Sequence, residues 1–172
     1  EYASKNLSNA SNKKIIYQRI DKTIKFNNCL KDNEFFSLDK YSCLQCPLNF
    51  KKYSGFPYAC YLKLSVKANY TDAKFDCEQK GGFLARPKSF IERSFLRQLY
   101  SSSQIWIDSK ITRLNEEYKW NDGTKVGGFA ITEPNNVGEN SSNLNENVIL
   151  MQKGEFNDYS DSAIKDVVCQ FS

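Results

Sequence analysis

Residues 132–139 read Thr-Glu-Pro-Asn-Asn-Val-Gly-Glu, and residues 156–158 read Phe-Asn-Asp. The first stretch places a carboxylate, Glu133, and an amide, Asn135, on either side of a proline, and the second adds another amide and another carboxylate. Carboxylate and amide oxygens are the ligands that calcium takes up, roughly six to eight at a time. Such groups keep hydrogen-bonding capacity after they bind a cation, because a carboxylate can still accept and an Asn amide can still donate. The two stretches are candidates for one site if the fold brings them together.

Length and charge narrow the classes of protein. The chain has 172 residues and a formal net charge of +4, which fits one domain plus an extension. The charges are mixed in sign and no Lys/Arg block occurs, which disfavours nucleic-acid binding. No apolar run of about 18 residues is present, so no membrane-spanning segment is predicted. Because the chain begins at Glu1 rather than Met, we expect any signal segment to have been removed.

The cysteines indicate disulfides rather than a metal site. Six are present, at positions 29, 43, 46, 60, 77 and 169, and the chain has no histidine. A Cys/His zinc site is therefore excluded, and the spacings do not fit a Cys₄ site. Disulfides form in oxidising compartments, so we expect a secreted or extracellular protein. Four Asn-x-Ser/Thr sequences agree with this as candidate glycosylation sites, and they begin at Asn6, Asn9, Asn69 and Asn140.

Helix signals occur twice in the first half of the chain. Thr71 is a good N-cap, and Gly81 with Gly82 would end the helix that carries Cys77. A capping box over residues 89–92, Ser-Phe-Ile-Glu, opens the second helix. The apolar face of that helix is predicted to contain Ile91, Phe95 and Leu99, with Leu96 beside them.

Short apolar runs predict strands after the helices. Ile105-Trp106-Ile107 reads as a short buried strand, and residues 148–151 and 167–169 read as closing strands. Trp106 and Trp120 are predicted to be core residues. The first 14 residues are rich in Ser, Asn and Lys, and they predict a flexible polar tail.

The order of these motifs resembles that of the C-type lectin domain family. The chain carries in turn a helix cysteine, Gly-Gly-Phe-Leu-Ala, Trp-Ile, Trp-Asn-Asp-Gly, Glu-Pro-Asn, Asn-Asp and a last cysteine. The resemblance covers residues 46–172, and it leaves residues 1–45 as a polar tail and a small disulfide-stapled extension. It implies an α+β fold, with two helices and antiparallel strands that support a long calcium-binding loop.

The resemblance also implies how the cysteines pair. In the family's longer members a first pair closes the opening hairpin, which corresponds to Cys46–Cys60, and another ties the first helix to the last strand, which corresponds to Cys77–Cys169. Cys29 and Cys43 are then left to pair with each other. Six cysteines allow many connectivities, so spacing alone does not choose among them.

In the family, the Glu–Pro bond is cis and turns both flanking side chains toward one ion. The resemblance therefore implies calcium ligands at Glu133, Asn135, Asn157 and Asp158. One further acidic ligand is expected, and Glu139 and Glu146 are both candidates for it. Glu139 follows Glu-Pro-Asn at close to the family's spacing and is slightly favoured, whereas Glu146 stands just before the closing strand, as the family's acidic residue does. Two neighbouring sugar hydroxyls would bind the ion and the spare groups of the four named residues. In the family, the Glu-Pro-Asn form goes with mannose, fucose and N-acetylglucosamine type sugars.

This sequence departs from the family pattern in and around the long loop. The disulfide usual in that loop is missing, since neither of its cysteines is present. Phe129 and Phe156 stand where tryptophans are usual, residues 140–145 look inserted, and Asp108 replaces a glycine. A second calcium site found in some relatives would need acidic residues near positions 108–117. Glu116 and Glu117 are present, but Asn136 stands where an Asp is often found.

Two functions from different classes are compatible with this pattern. One is a calcium-dependent lectin that binds mannose-type glycans or glycoproteins, with several copies supplying avidity. The other is a calcium-independent module of the same fold that binds protein. The lectin is favoured because all four ligand types of the family pattern occur together, at Glu133, Asn135, Asn157 and Asp158. An enzyme is disfavoured, because no histidine base exists and bound calcium would occupy the carboxylates that a glycosidase would use.

Overall fold

The computed structural model describes residue 29, residues 31–136 and residues 143–172. The expected polar tail, the candidate glycosylation sites Asn6, Asn9 and Asn140, and the candidate ligand Glu139 lie outside the described residues. The bounds of the domain, 46–172, stay a prediction.

The described residues form strands β1 (Glu34–Ser37), β2 (Ser42–Gln45), β3 (Lys51–Tyr53), β4 (Phe56–Ala68), β5 (Phe83–Leu84), β6 (Gln104–Lys110), β7 (Val148–Gln152), β8 (Glu155–Tyr159) and β9 (Lys165–Phe171). Helix α1 spans Tyr70–Gln79 and helix α2 spans Phe90–Leu99. Strands β1 and β2 form a hairpin, and the main sheet has the order β3-β4-β9-β6-β7-β8, with β5 also on β9. Its pairings are antiparallel except for the one between β6 and β9. The predicted α+β class, with two helices and antiparallel strands, is confirmed.

The main sheet separates two apolar clusters. Side chains alternate between the two faces of a strand, so Ile105 and Ile107 of β6 join one cluster and Trp106 joins the other. The first cluster includes Leu96 of α2, Trp120 and Phe156, and the second includes residues of α1. Trp106 is fully buried and Trp120 is 5% exposed, so both are core residues as predicted. Helix α2 and the loop residues Val126, Phe129 and Leu144 therefore lie on one face of the sheet, and α1 lies on the other.

Helix α1 begins two residues earlier than the sequence predicted. The N-cap is Asn69 and not Thr71, because the Asn69 Oδ1 atom accepts the Asp72 N–H at 2.9 Å. Its Nδ2 atom also donates to the Asp72 carboxylate at 2.8 Å. The predicted end of the helix is confirmed: Gly81, at φ +80°, and Gly82 donate back to the carbonyls of the last turn at 3.0 Å each.

The buried face of α2 agrees with the predicted one only in part: Leu96 is fully buried and Phe95 packs against the first cluster. Ser89 caps the helix by accepting the Glu92 N–H at 3.1 Å. Ile91, however, is 69% exposed, and the buried positions are Glu92 and Leu96. The Glu92 carboxylate accepts from Tyr61 Oη at 2.6 Å and from Gln170 Nε2 at 3.0 Å. A buried acid is tolerated there because distant parts of the chain supply its hydrogen bonds.

The structure contains disulfides Cys29–Cys43, Cys46–Cys60 and Cys77–Cys169, the pairs that the resemblance implies. Cys77–Cys169 joins α1 to β9 across 92 residues, a closure that stabilises by about 4 to 5 kcal/mol in the chain-entropy model. The N-terminal hairpin packs on the sheet, because the buried Phe35 ring lies 5.7 Å from the Phe171 ring. Neither described helix is long and apolar enough to cross a membrane.

Candidate functional site

The loop that carries Glu133 and Asn135 runs along the outer edge of β8. The Phe156 N–H donates to the Gly128 carbonyl, and the Ala130 N–H donates to the Phe156 carbonyl, each at 2.9 Å. Further along, the Asn135 and Asn136 N–H groups donate to the two oxygens of Asp158 at 3.0 and 2.8 Å. The two stretches singled out in the sequence therefore meet, and the 4% exposed Asp158 carboxylate joins them.

The start of the long loop is held by α2 and by a group of aromatic rings. Arg93 of α2 donates to the Gly127 carbonyl at 3.1 Å, and its guanidinium lies 5.4 Å from the centre of the Phe156 ring. Gly128, at φ +110°, passes so close to this guanidinium that a Cβ atom would collide with it. The Phe129 and Phe156 rings pack edge to face at 6.1 Å. These contacts hold residues 127–130 against α2 and β8.

Glu133 is the least satisfied polar group of the site. The Glu133–Pro134 peptide bond is cis, and the Glu133 Oε2 atom is buried without a hydrogen-bond partner. Burial, together with the neighbouring Asp158 carboxylate and then Glu146, raises the pKa of Glu133 to about 7. A carboxylate with one buried oxygen unpaired and with other acids nearby is unfavourable when ionised, although a backbone hydrogen bond from Asn135 partly offsets this, and a cation would relieve it.

The Asn136 side chain joins the start of the loop to residues 143–146, a role that was not predicted from the sequence. Its side-chain oxygen accepts the N–H groups of Asn145 and Glu146 at 2.9 and 3.1 Å, and its Nδ2 atom donates to the Asn143 carbonyl at 2.8 Å. Asn136 has φ +50°, a conformation that asparagine adopts more readily than most residues. That preference, directly after Glu-Pro-Asn, was the available signal. Glu146 is thereby held near Glu133.

The described residues give a mixed set of candidate ligands. Glu133, Asn135, Asp158 and Glu146 come together at the loop, and the half-buried Asn157 lies beside Asp158 on β8. Within the described ranges, no group of three or more acidic, cysteine or histidine side chains is gathered tightly enough to hold a metal by itself. The amide oxygens are therefore needed to complete a calcium site, which is the donor chemistry that calcium prefers.

The acidic residues considered for a second calcium site are engaged elsewhere. The Glu116 carboxylate accepts the N–H groups of Thr112 and Arg113 at 2.7 and 3.2 Å. Glu117 pairs with Lys125 at 2.7 Å. Asp108 is paired with Arg86 and Lys74. No second site is assembled by these groups.

A model of the lectin C-type domain matches residues 66–171. The chain belongs to the C-type lectin domain family. Among curated proteins, the low affinity immunoglobulin epsilon Fc receptor of Mus musculus is 29% identical over 120 residues, which cover 68% of this chain and 34% of the receptor. Lactose-binding lectin l-2 of Anguilla japonica is 32% identical over 82 residues, which cover 46% of this chain and 49% of that lectin. The matched region thus spans half or less of the length of either relative.

Solved structures of the family share the fold. The human scavenger receptor C-type lectin carbohydrate-recognition domain has a TM-score of 0.64 at 23% identity, with 74% of this chain and 99% of that domain covered. A calcium-independent type II antifreeze protein has a TM-score of 0.60 at 20% identity, with 74% and 94% covered. Identities this low establish the fold alone. The prediction of a non-enzymatic protein is confirmed by membership of this family.

Proposed function

We propose that this domain binds sugars of the mannose, fucose and N-acetylglucosamine type through a calcium ion at the long loop. The observation that carries the proposal is the Glu133 carboxylate, whose buried Oε2 atom has no hydrogen-bond partner and which lies beside the acids Asp158 and Glu146. A structural loop has no use for such an arrangement, because each acid raises the cost of ionising the others. A divalent cation would offset the repulsion among the ionised carboxylates, because it attracts each of them.

The residues fit the ion in number and in type. Glu133, Asn135, Asn157 and Asp158 would hold it, and Glu146 or Glu139 would supply the remaining carboxylate. The proximity of Glu146 to Glu133 favours Glu146. Although Asp158 accepts two backbone N–H groups, a carboxylate has about four acceptor positions, so capacity for the ion remains. Bound calcium would supply direct coordination of two neighbouring sugar hydroxyls.

The direction of the hydrogen bonds sets the class of sugar. An ionised Glu133 can only accept a hydrogen bond, whereas the Asn135 side chain can donate one. A sugar hydroxyl beside Glu133 must therefore donate, and one beside Asn135 must accept. In related lectins Glu-Pro-Asn goes with two equatorial neighbouring hydroxyls, as in mannose, and Gln-Pro-Asp goes with the galactose arrangement. A polar group presented wrongly in a partly dehydrated site costs on the order of 1 to 3 kcal/mol, which is enough to decide between the two sugars.

A second candidate function is a calcium-independent module that binds protein. It is favoured by the similarity to an immunoglobulin Fc receptor and by the shared fold of a calcium-independent antifreeze protein. It gives no account of the unpaired Glu133 oxygen, so the lectin is preferred.

Competition for an immobilised mannose-rich glycan separates the candidates. In calcium, free mannose is expected to displace the wild-type chain at lower concentration than galactose or lactose, and chelator is expected to abolish binding. Glu133→Gln with Asn135→Asp leaves the net charge unchanged, so it should weaken mannose binding more than calcium binding. Equal displacement by galactose would refute the sugar assignment. Binding that persists in chelator would favour the protein-binding module.

The same proposal predicts where the protein acts, what it binds and how many copies it needs. The three disulfides fit a secreted or extracellular glycoprotein. Glycans on glycoproteins would be its partners. A single shallow site binds sugar weakly, so several copies, on one oligomer or one surface, would be needed for useful avidity.

A further inference from the structure

A polar cavity, open to solvent, lies away from the long loop, between α1, Arg86, the end of β6 and residues 119–121. Its volume is about 380 Å³, and none of its lining residues is a candidate ligand for calcium at the long loop. Four cationic side chains line it: Lys74, Arg86, Lys110 and Lys119. Asp108 is the single acid in the lining.

Asp108 holds Lys74 and Arg86 in position, and its carboxylate has no acceptor position left for a further donor. Its buried carboxylate accepts from Lys74 Nζ at 2.9 Å and from Tyr70 Oη at 3.4 Å. It also accepts from Arg86 Nε at 2.7 Å and from Arg86 Nη2. A carboxylate has about four acceptor positions, and four donors occupy them. Asp108 is therefore a support for the cations that surround the cavity.

The cations keep donors that this arrangement does not use. A guanidinium has about five N–H donors and an ammonium about three, whereas Arg86 gives two and Lys74 gives one to Asp108. Lys110 pairs with Asp161 at 2.8 Å. Lys119 makes no ion pair within the described part of the chain. The Glu117 carboxylate near Lys119 is already paired with Lys125, so the four cations against Asp108 and Asp161 leave an excess of two positive charges at the cavity.

We propose that this cavity binds the sulfate ester group of a sulfated sugar. A sulfate ester carries one full negative charge and several acceptor oxygens, and Arg and Lys donors held in place bind such oxyanions through charge-assisted hydrogen bonds. The volume lies in the range of small-molecule pockets, which leaves room for the sugar as well as the anion. Thr71 and Asn121 also line the cavity, and a hydroxyl and an amide are groups that can form hydrogen bonds with sugar hydroxyls.

This proposal rests on the proposed function in one respect only, namely that the sulfate ester belongs to a sugar. The excess of cationic donors is independent of the calcium loop, because no residue of residues 127–136 lines the cavity. The experiment is therefore done without calcium. If mannose binding fails and sulfated-sugar binding persists in chelator, the calcium proposal falls and this one stands.

The test is calorimetric titration of the whole chain in chelator with three probes: 6-sulfo-N-acetylglucosamine, N-acetylglucosamine and inorganic sulfate. The sulfated sugar is expected to bind about tenfold or more tightly than the other two, since each lost charged hydrogen bond costs that order of affinity. Lys119→Gln, at an exposed position, should weaken binding by about tenfold, and Lys74→Gln should do the same. Lys51→Gln, an equal loss of charge on β3, should change nothing.

Three outcomes would overturn the proposal. Inorganic sulfate that binds as tightly as the sulfated sugar would mean that the cavity takes a free anion only. An equal effect of Lys51→Gln and Lys119→Gln would mean that binding follows net charge. No binding of the sulfated sugar by the wild-type chain would mean that the Asp108 cluster serves the fold alone.

Discussion

At the scale of single residues, Asp158 and Arg93 hold opposite ends of the same loop segment. Asp158 accepts the backbone N–H groups of Asn135 and Asn136, and Arg93 donates to Gly127. One is a candidate calcium ligand and the other lies on α2, with Phe156 between them in the packing. The geometry of the ligands therefore depends on a residue that touches neither ion nor sugar.

Replacing Arg93 with lysine tests that dependence. The charge is kept, but the planar group that stacks on Phe156 and reaches Gly127 is lost. Because Arg93 is partly exposed, we expect a loss of about 1 kcal/mol in the free energy of unfolding and weaker mannose binding in calcium. Arg97→Lys, on the exposed side of the same helix, is the matched control and should change neither. The measurements are urea unfolding and sugar titration. Equal effects of the two substitutions would contradict a specific role for Arg93.

At the scale of elements, the sheet and the loop have different supports. Strands β6, β7 and β9 are paired and buried on both faces, whereas residues 127–136 are held by a few hydrogen bonds to β8, by Arg93 and by aromatic packing. Segments with few buried contacts open at lower free energy than the core. The loop should therefore respond to the loss of a ligand before the sheet does.

Hydrogen exchange measures this difference. On removal of calcium, the Asn135 and Asn136 amides should lose protection, because carboxylates without their cation repel one another and loosen the Asp158 contacts. Amides that pair β6 with β7 should keep theirs. Added mannose without calcium is the control and should restore nothing. Identical protection of residues 127–147 in calcium and in chelator would contradict the calcium site.

Local sequence patterns predicted helices and strands well where tertiary packing favours the conformation that the local sequence also favours. The alternation in Ile105-Trp106-Ile107 and the glycines after Cys77 encode their structures within a few residues. The misplaced start of α1 had a local signal that was passed over, because Asn is at least as good an N-cap as Thr and Asp72 follows Asn69 at the position that the cap bonds. The buried Glu92 depends on Tyr61 and Gln170, which are far away in sequence. No local pattern could reveal those partners.

The proximity of the candidate ligands was predictable, although their role as calcium ligands stays a prediction, and the contacts that support the loop were not predictable. Glu133, Asn135 and Asp158 follow a short motif whose spacing is visible in the sequence, and the structure brings them together. The closing role of Asn136 and the anchoring role of Arg93 depend on contacts across 7 to 10 and 34 residues respectively. The Asp108 cluster likewise joins three separate segments.

At the scale of the whole molecule, the pH dependence of stability should reverse with calcium. Without calcium, the pKa of Glu133 is about 7, above its ordinary value of 4.5, so the folded state binds this proton more tightly than the unfolded state. The contribution is present at low pH and is lost as pH rises through 7. With calcium, the ion needs deprotonated ligands, so its stabilisation grows as pH rises over the same interval.

Melting temperatures between pH 5 and pH 8, in chelator and in saturating calcium, check this expectation. The gap between the two curves should widen as pH rises. Burial also raises the pKa of Glu92, so Glu133→Gln is the control that isolates the site. That variant should melt with less pH dependence in chelator than the wild type. A gap that is constant with pH would contradict proton–calcium exchange at Glu133.

The hydrogen bonds between the loop and Phe156 also bear on solubility. Strand β8 is the last strand at its end of the main sheet, and residues 128–130 occupy backbone groups on its outer side. An uncovered edge strand is a template on which another chain can add a strand. Release of the loop would uncover that template in an otherwise folded, disulfide-bonded molecule. If the proposed calcium ion holds the loop in place, its removal would then promote self-association of folded molecules, and the ion would protect against aggregation.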